Sequence, residues 1–133
     1  MKSVYTSVIM KVLDRIDQGL SPIVYGDGSQ TYDFVYVEDV ALANCLAAKA
    51  DATDRCYNVG RGIGTSVREL VELLLKASGS ALPIKYEPAG QTFVTQRIGS
   101  TANAKRDLGF EAPTSLAEGL DQVITWRRAQ SQA

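Results

Sequence analysis

The sequence of 133 residues contains no histidine, and this absence excludes a large group of mechanisms. Imidazole is the usual general base of catalytic triads and a common zinc ligand, so His-based triads and most zinc sites are excluded. The net charge of −1 provides no basic field for nucleic acid or for an anionic membrane surface. No apolar run approaches the roughly eighteen residues of a membrane-spanning helix. We therefore predict neither nucleic acid nor a membrane among the partners, and no metal.

Cysteine is scarce as well, with only Cys45 and Cys56 in the chain and no CxxC pair. Both stand in segments that we expect to be buried, which favours reduced core thiols in a cytoplasmic protein over a disulfide. The N-terminus lacks a continuous apolar block and a small-residue cleavage site, so it does not resemble a signal peptide. A content of 45% hydrophobic and 22% charged residues is typical of a globular protein. We predict one domain over residues 1–133.

The spacing of apolar residues predicts an α/β fold with few, short strands, in the order α, β, β, α, β, α, β, α, α. The helices are expected within residues 4–20, 37–49, 66–79, 101–108 and 115–126. The strands are expected at residues 22–25, 31–37, 56–59 and 83–86. Two capping boxes, Ser66 with Glu69 and Ser115 with Glu118, mark the starts of the third and fifth helices.

The first predicted helix is strongly one-faced. Its apolar side includes Val4, Val8, Val12 and Ile16. Because no element precedes this helix, we expect that face to be exposed in a monomer. An exposed apolar face favours a homo-oligomer, or a partner that supplies a missing half of the fold.

A glycine-rich run, Gly60-Arg61-Gly62-Ile63-Gly64, lies between a predicted strand and a capped helix. This is the context of a phosphate-binding loop, where free N–H groups of a helix N-terminus meet an anion. The GxGxxG pattern would need glycine at position 65, where Thr65 stands, and no GK[ST] is present. The pattern therefore favours a plain loop, with a dinucleotide site as the alternative.

Three carboxylates, Asp33, Glu38 and Asp39, lie close together in the sequence and are candidates for acid/base chemistry. The stronger interpretation is structural. Glu38 and Asp39 fall in the first turn of a predicted helix, where negative charge suits the helix dipole, and Asp33 can cap a strand end.

Tyrosines and one arginine are the other candidates. A catalytic tyrosine needs a nearby cation to lower its pKa, and none of Tyr25, Tyr32 and Tyr36 is followed by the Tyr-x-x-x-Lys spacing. Arg97 stands among few charges and could bind a phosphate through two parallel hydrogen bonds. The alternative for Arg97 is an exposed loop residue.

Three blocks of the sequence, in the same order, resemble one known family. GDGSQTYDFVYVEDVALAN is similar to GDGxQxRDFxYVxDVxxA, CYNVGRGIGTSVRELVELL to NVGxGxxxSxxEL, and NAKRDLGFEAPTSLAEGLDQVITW to a closing segment with LG and LeeGL. These are motifs of the NAD-dependent epimerase/dehydratase family, the extended short-chain dehydrogenases that act on nucleotide sugars. The resemblance covers nearly the whole chain and points to UDP-glucose 4-epimerase-like members.

The resemblance implies a C-terminal, substrate-binding lobe that lacks most of the Rossmann sheet. The family's GxxGxxG motif and catalytic Tyr-x-x-x-Lys are absent from this sequence. The resemblance therefore implies no catalytic and no cofactor-binding residue in this chain, with NAD a cofactor of the parent family. It implies a nucleotide sugar as ligand and no turnover by the chain alone. The alternative is an oligomerising or partner-binding module derived from that family.

The resemblance also implies a small set of substrate-binding residues. Ile23, Val24 and Tyr25 match a strand whose backbone flanks the nucleotide base in family members. Tyr32 occupies a position where many members place a diphosphate-binding arginine, and a second family arginine expected near Gly90 is absent. Two alternatives follow: Arg97 compensates for them, or the sugar carrier is different from that of the family.

Overall fold

A computed structural model describes residues 7–90 and 95–130 of the chain. Within these residues the helices are α1 (Val8–Asp17), α2 (Val37–Lys49), α3 (Val67–Ser78), α4 (Ala102–Leu108) and α5 (Leu116–Gln130). The strands are β1 (Ile23–Tyr25), β2 (Thr31–Tyr32), β3 (Thr65–Ser66), β4 (Lys85–Glu87) and β5 (Gln96–Arg97). The predicted α/β class with short strands is confirmed.

The strands form two small sheets. In one sheet β1 pairs with β4 in parallel. In the other, β2 is the central strand, antiparallel to β3 and parallel to β5. The short second sheet brings together residues from three distant parts of the sequence.

The predicted strand at residues 56–59 is wrong, because that segment is irregular and the third strand lies at Thr65–Ser66. Side chains hold the segment in place of a backbone ladder. The Tyr57 hydroxyl donates to Asp107 at 3.2 Å, and Asn58 Nδ2 donates to the Ser100 carbonyl at 3.2 Å. Strand β5 was not predicted, since a two-residue strand depends on its neighbours more than on propensity.

Local signals set the helix ends. The Ser66 hydroxyl accepts from Glu69 N at 3.2 Å, and Ser66 N donates to the Glu69 carboxylate at 2.9 Å. Ser115 and Glu118 form the same reciprocal pair at the start of α5. Gly79 and Gly109, with φ of 68° and 65°, end α3 and α4 in the left-handed conformation that glycine adopts without a steric penalty. Both predicted capping boxes are confirmed.

The main core lies where α3 packs between α1 and α5. Leu70, Val71 and Leu74 of α3 have no exposed surface, and Leu13 of α1 and Leu120 of α5 close over them. A second, smaller cluster of Ala43, Ala104 and Phe110 joins α2 to α4 and to the segment that follows it. The prediction that residues 1–133 form one domain stays a prediction.

The apolar face of α1 is covered, so the prediction that this face is exposed is wrong. Val12 is 3% exposed, and Val8 and Ile16 are partly buried against the main core. The covering surface comes from α3, which is distant in sequence. Val4 lies outside the described residues. Burial of this face removes the argument for oligomerisation that was based on it.

The expectation of buried cysteines is wrong, because Cys45 and Cys56 are both exposed, free thiols. Ala43 is the residue of α2 that turns into the core. A residue two positions further along a helix points to nearly the opposite side, which places Cys45 outward. Cys56 follows the polar connection after α2.

Across residues 7–90 and 95–130, no helix has the length and apolar character needed to cross a bilayer. The cytoplasmic location stays a prediction.

Packing of α1 on α3 leads to a stability prediction. We expect Leu13→Ala to lower the free energy of unfolding by about 2–5 kcal/mol, because the buried side chain leaves a cavity between the helices. Lys11→Ala, at an exposed position of the same helix, is the matched control and should change it by less than about 0.5 kcal/mol. Urea unfolding followed by circular dichroism measures both. Equal effects of the two substitutions would contradict the packing.

Candidate functional site

Strand β2 brings two of the predicted site residues together. Tyr32 is the direct partner of Arg97 in the parallel pairing of β2 with β5. The backbone on either side is bonded, since Thr31 N donates to the Thr95 carbonyl at 2.9 Å and Asp33 N donates to the Arg97 carbonyl at 3.1 Å. Side chains alternate between the faces of a sheet, so directly paired residues share a face. The Tyr32 and Arg97 side chains therefore leave the sheet side by side.

The Arg97 side chain is available for a ligand. The residue is exposed, and its guanidinium makes no hydrogen bond or ion pair within the described part of the chain. A guanidinium carries five N–H donors in a fork that matches phosphate and carboxylate oxygens. Within residues 7–90 and 95–130, no carboxylate is bound to Arg97 that would compete with an incoming anion.

Tyr32 supplies an aromatic surface and no positive charge. The residue is half-buried, and its ring packs on Phe34 with 6.1 Å between the ring centroids and a tilt of 57°. A neutral phenol can donate one hydrogen bond and can stack, but it cannot balance a diphosphate. The positive charge at this face therefore comes from Arg97, one strand away.

The other predicted site residues lie in β1, at the edge of the first sheet. Val24 is 1% exposed, which places its side chain in the core and leaves only its backbone for a ligand. Tyr25 is 57% exposed, and Ile23 is half-buried. The turn at residues 26–30 joins β1 to β2 and is closed by Gln30, whose Nε2 donates to the Tyr25 carbonyl at 3.2 Å. The two groups of site residues thus lie in different sheets, connected by this turn.

The glycine-rich loop at residues 60–64 binds an internal carboxylate. Asp33 Oδ1 accepts from Arg61 N at 3.1 Å, and Oδ2 accepts from Gly62 N at 2.8 Å. A Cβ on Gly60 would collide with the same carboxylate, so glycine is required there. These are N–H groups that a phosphate-binding loop would offer to its ligand. A phosphate at this point would have to displace Asp33 against like-charge repulsion, which argues against the dinucleotide alternative.

The remaining carboxylates have separate structural partners. Asp39 is 3% exposed and accepts from both the backbone N–H and the hydroxyl of Thr114, at 3.1 and 2.7 Å. This contact fixes the start of α2 to the segment before α5. Glu38 is exposed in the same turn. With Asp33 bound to the loop, the acid/base alternative for this group has no geometric support.

Two further features were not predicted from the sequence. Asp107 of α4 accepts from Arg55 Nη1 and from the Tyr57 hydroxyl, residues about fifty positions earlier. Hydrogen bonding from Arg106 lowers the pKa of the Asp107 carboxyl, and desolvation raises the pKa of Tyr57. No local pattern could reveal contacts of such sequence separation. The cluster ties the segment at 55–57 to α4.

The second unpredicted feature is an apolar cleft of about 220 Å³ between α1, the segment at 34–37 and α5. Phe34, Val37 and Leu116 are among its lining residues, with Arg61 also present. Val37 is 71% exposed.

Among the described residues, no group of three or more Cys, Asp or Glu side chains could hold a metal ion.

The structural interpretation of Asp39 can be tested by substitution. We expect Asp39→Ala to lower the free energy of unfolding by about 1–3 kcal/mol, because it leaves the Thr114 N–H and hydroxyl without their buried acceptor. Glu38→Ala, at the adjacent exposed position, should change it by less than about 1 kcal/mol. Thermal or urea unfolding measures both. An Asp39 variant as stable as the Glu38 variant would contradict this interpretation.

Comparisons with known proteins agree on one family. The family described as "NAD dependent epimerase/dehydratase family" matches residues 1–60. A putative UDP-glucose 4-epimerase of Methanocaldococcus jannaschii is 35% identical over 121 residues, which are 91% of this chain and 39% of that protein. A UDP-glucose 4-epimerase of Mycolicibacterium smegmatis is 31% identical over 86% of this chain and 36% of its own length.

Solved structures show the same partial coverage. The UDP-glucose 4-epimerase of Thermotoga maritima with UDP-glucose has a TM-score of 0.88 and 32% identity, over 98% of this chain and 42% of its own. The UDP-N-acetylglucosamine 4-epimerase of Methanobrevibacter ruminantium M1, in complex with UDP-N-acetylmuramic acid, has a TM-score of 0.88 and 29% identity. The match covers 97% of this chain and 41% of that one. The chain thus spans about two fifths of the length of these relatives.

Proposed function

We propose, from the correspondence of this chain to a part of the NAD-dependent epimerase/dehydratase family, that it forms the nucleotide-sugar-binding portion of a UDP-sugar epimerase. The predicted resemblance is confirmed by the family match and by the UDP-glucose 4-epimerase relatives. Coverage of about two fifths of those relatives agrees with a C-terminal part. The ligand and the activity of the whole enzyme are our proposals.

The pairing of Tyr32 with Arg97 is the observation that carries the proposal. It sets an exposed guanidinium beside an aromatic ring on one face of a sheet. A nucleotide diphosphate needs a cation for its phosphates and flat apolar surface for its base. The solved relative from Thermotoga maritima contains UDP-glucose, which supports a UDP-sugar as the ligand class.

Strand β1 is the second wall of the proposed site. The backbone of Ile23, Val24 and Tyr25 would flank the base, as the resemblance implies. The exposed Tyr25 ring adds apolar surface at the end of the strand, where the turn leads to Tyr32. Burial of Val24 restricts its contribution to main-chain groups. Binding energy from such remote groups serves to position the sugar for chemistry done by other residues.

The family's cofactor is NAD, which supplies hydride transfer. The residues described in this chain do not fit that cofactor. The Arg61 and Gly62 N–H groups of the glycine-rich loop are bonded to Asp33, and the sequence contains no GxxGxxG and no Tyr-x-x-x-Lys. We therefore propose that this chain binds the sugar nucleotide and has no turnover by itself.

The alternative is a stand-alone oligomerising or partner-binding module. Its original support, an exposed face on α1, is lost because α3 covers that face. The exposed Val37 at the apolar cleft is the observation that still favours a partner. Light scattering at micromolar concentration decides between a monomer and a homo-oligomer.

Arg97 is the residue whose removal tests the proposed site. We expect Arg97→Gln to weaken UDP binding about tenfold to a hundredfold, because it removes hydrogen bonds to a charged group. Tyr32→Arg should strengthen binding, since it returns a cation to the adjacent position on the same face. Isothermal titration of the purified chain with UDP measures both.

Lys49→Gln is the matched control for these variants, since it removes an exposed positive charge from the end of α2. Its affinity for UDP should equal that of the unsubstituted chain. Binding that is equally strong in the Arg97 variant, or that weakens equally in the Lys49 variant, would contradict the site.

The proposed lack of turnover has its own test. The purified chain, supplied with NAD and UDP-glucose, should form no UDP-galactose above background. NAD alone should leave the melting temperature unchanged, because a ligand that binds the native state would raise it. A full-length relative such as the Mycolicibacterium smegmatis enzyme serves as positive control. Measurable epimerisation, or stabilisation by NAD, would contradict this part of the proposal.

A further inference from the structure

We infer that Asp33 is a positioning residue for the nucleotide-sugar site, because it fixes β5 and the glycine-rich loop to the central strand at once. This inference rests on the proposed function and concerns how Arg97 is held beside Tyr32. Asp33 does not contact the proposed ligand in this view. It acts through the backbone that carries Arg97.

The contacts of Asp33 connect three segments. It directly follows Tyr32 at the end of β2. Its backbone N–H donates to the Arg97 carbonyl at 3.1 Å, which bonds β5. Its carboxylate accepts from Arg61 N at 3.1 Å and Gly62 N at 2.8 Å, which bonds the loop. Asp33 therefore contacts β5 through its backbone, beside the bond from Thr31 N to the Thr95 carbonyl, and it bonds the loop through its side chain.

Close packing joins the loop to the segment that follows Arg97. A Cβ on Gly64 would collide with the Ile98 side chain, and a Cβ on Gly99 would lie 3.3 Å from Asn58 Cγ. Asn58 Nδ2 also donates to the Ser100 carbonyl at 3.2 Å. Because these two segments touch without intervening space, a displaced loop would displace the segment at 98–100, which is continuous with Arg97.

The chemistry of the contact requires a carboxylate. Both oxygens of Asp33 accept, so two N–H donors are satisfied by one ionised group, and such charge-assisted bonds are stronger than neutral ones. An asparagine has nearly the same volume but only one accepting oxygen. Its NH2 group would face the second N–H donor. Asp33→Asn therefore loosens the loop with little change in packing volume.

The sign of the effect separates positioning from electrostatics. Removing a negative charge close to an anion site strengthens anion binding by Coulomb's law. Loss of the fixed Arg97 position weakens the same binding. A weaker affinity in Asp33→Asn therefore cannot come from the charge change. Glu38→Gln, which removes an exposed carboxylate nearby in sequence, controls for the charge alone.

The experiment is a double-substitution cycle with UDP as the probe. Isothermal titration is carried out on the unsubstituted 133-residue chain, Asp33→Asn, Arg97→Gln and the double variant. We expect Asp33→Asn to weaken UDP binding about tenfold, the size of one lost hydrogen bond to a charged group. The double variant should bind about as weakly as Arg97→Gln, because Asp33 acts through Arg97. Glu38→Gln should bind UDP no more weakly than the unsubstituted chain.

A second variant guards against unfolding of Asp33→Asn. Gly60→Ala pushes on the Asp33 carboxylate from the loop side and changes no charge. It should weaken UDP binding in the same direction, with circular dichroism to confirm a folded chain. The folded variants are compared at a temperature well below their unfolding transitions.

The outcomes distinguish the inference from the proposed function. If Arg97→Gln weakens UDP binding while folded Asp33→Asn or Gly60→Ala binds UDP normally or more tightly, the positioning role is overturned and the proposed site stands. Additive effects of Asp33→Asn and Arg97→Gln would also overturn it. If the unsubstituted chain shows no UDP binding, the proposed function fails and the inference fails with it.

Discussion

The carboxylate of Asp33 is the contact on which the geometry of the candidate site depends. Strand β2 contains only two residues, so its hydrogen-bond ladder to each neighbour is short. Asp33 extends that strand with one backbone bond to β5 and two side-chain bonds to the loop at 60–64. The two side-chain bonds occupy the N–H groups of Arg61 and Gly62, which a phosphate-binding loop would offer to its ligand. The Asp33 carboxylate thus holds the loop beside the candidate site and leaves the N–H groups of Arg61 and Gly62 unavailable to a phosphate.

Sequence patterns predicted well those features that depend on neighbouring residues. The capping boxes at Ser66 and Ser115 involve residues within a few positions of one another, and the structure confirms them. The predictions failed where a distant element decides the result. Burial of Val12 depends on α3, and the strand at 56–59 is replaced by contacts of Tyr57 and Asn58 with α4 and its preceding loop. Such contacts leave no periodic signal.

The site residues illustrate the same division. Tyr32 was notable in the sequence because the family resemblance placed an arginine there, whereas Arg97 was notable for its isolation from other charges. Their adjacency could not be derived from the sequence. Residues 32 and 97 pair in parallel, so no hairpin turn between their strands marks the pairing. Asp33 was considered as a strand-end cap, but the predicted strand at 31–37 is too long, since β2 ends at Tyr32 directly before Asp33. Its bonds to the loop require knowledge of how that loop folds back.

The pairing of Tyr32 and Arg97 places a cation one strand away from position 32, where the family resemblance led us to expect an arginine. Direct partners in adjacent strands have side chains on the same face, so a positive charge moved from position 32 to position 97 is displaced by about one strand spacing, roughly 5 Å. A guanidinium on a long, flexible stem can span such a distance. The aromatic ring left at position 32 packs on Phe34 and becomes part of the wall. In the proposed site the cation lies on β5 and not on the central strand, so the position of β5 sets where a phosphate would meet Arg97.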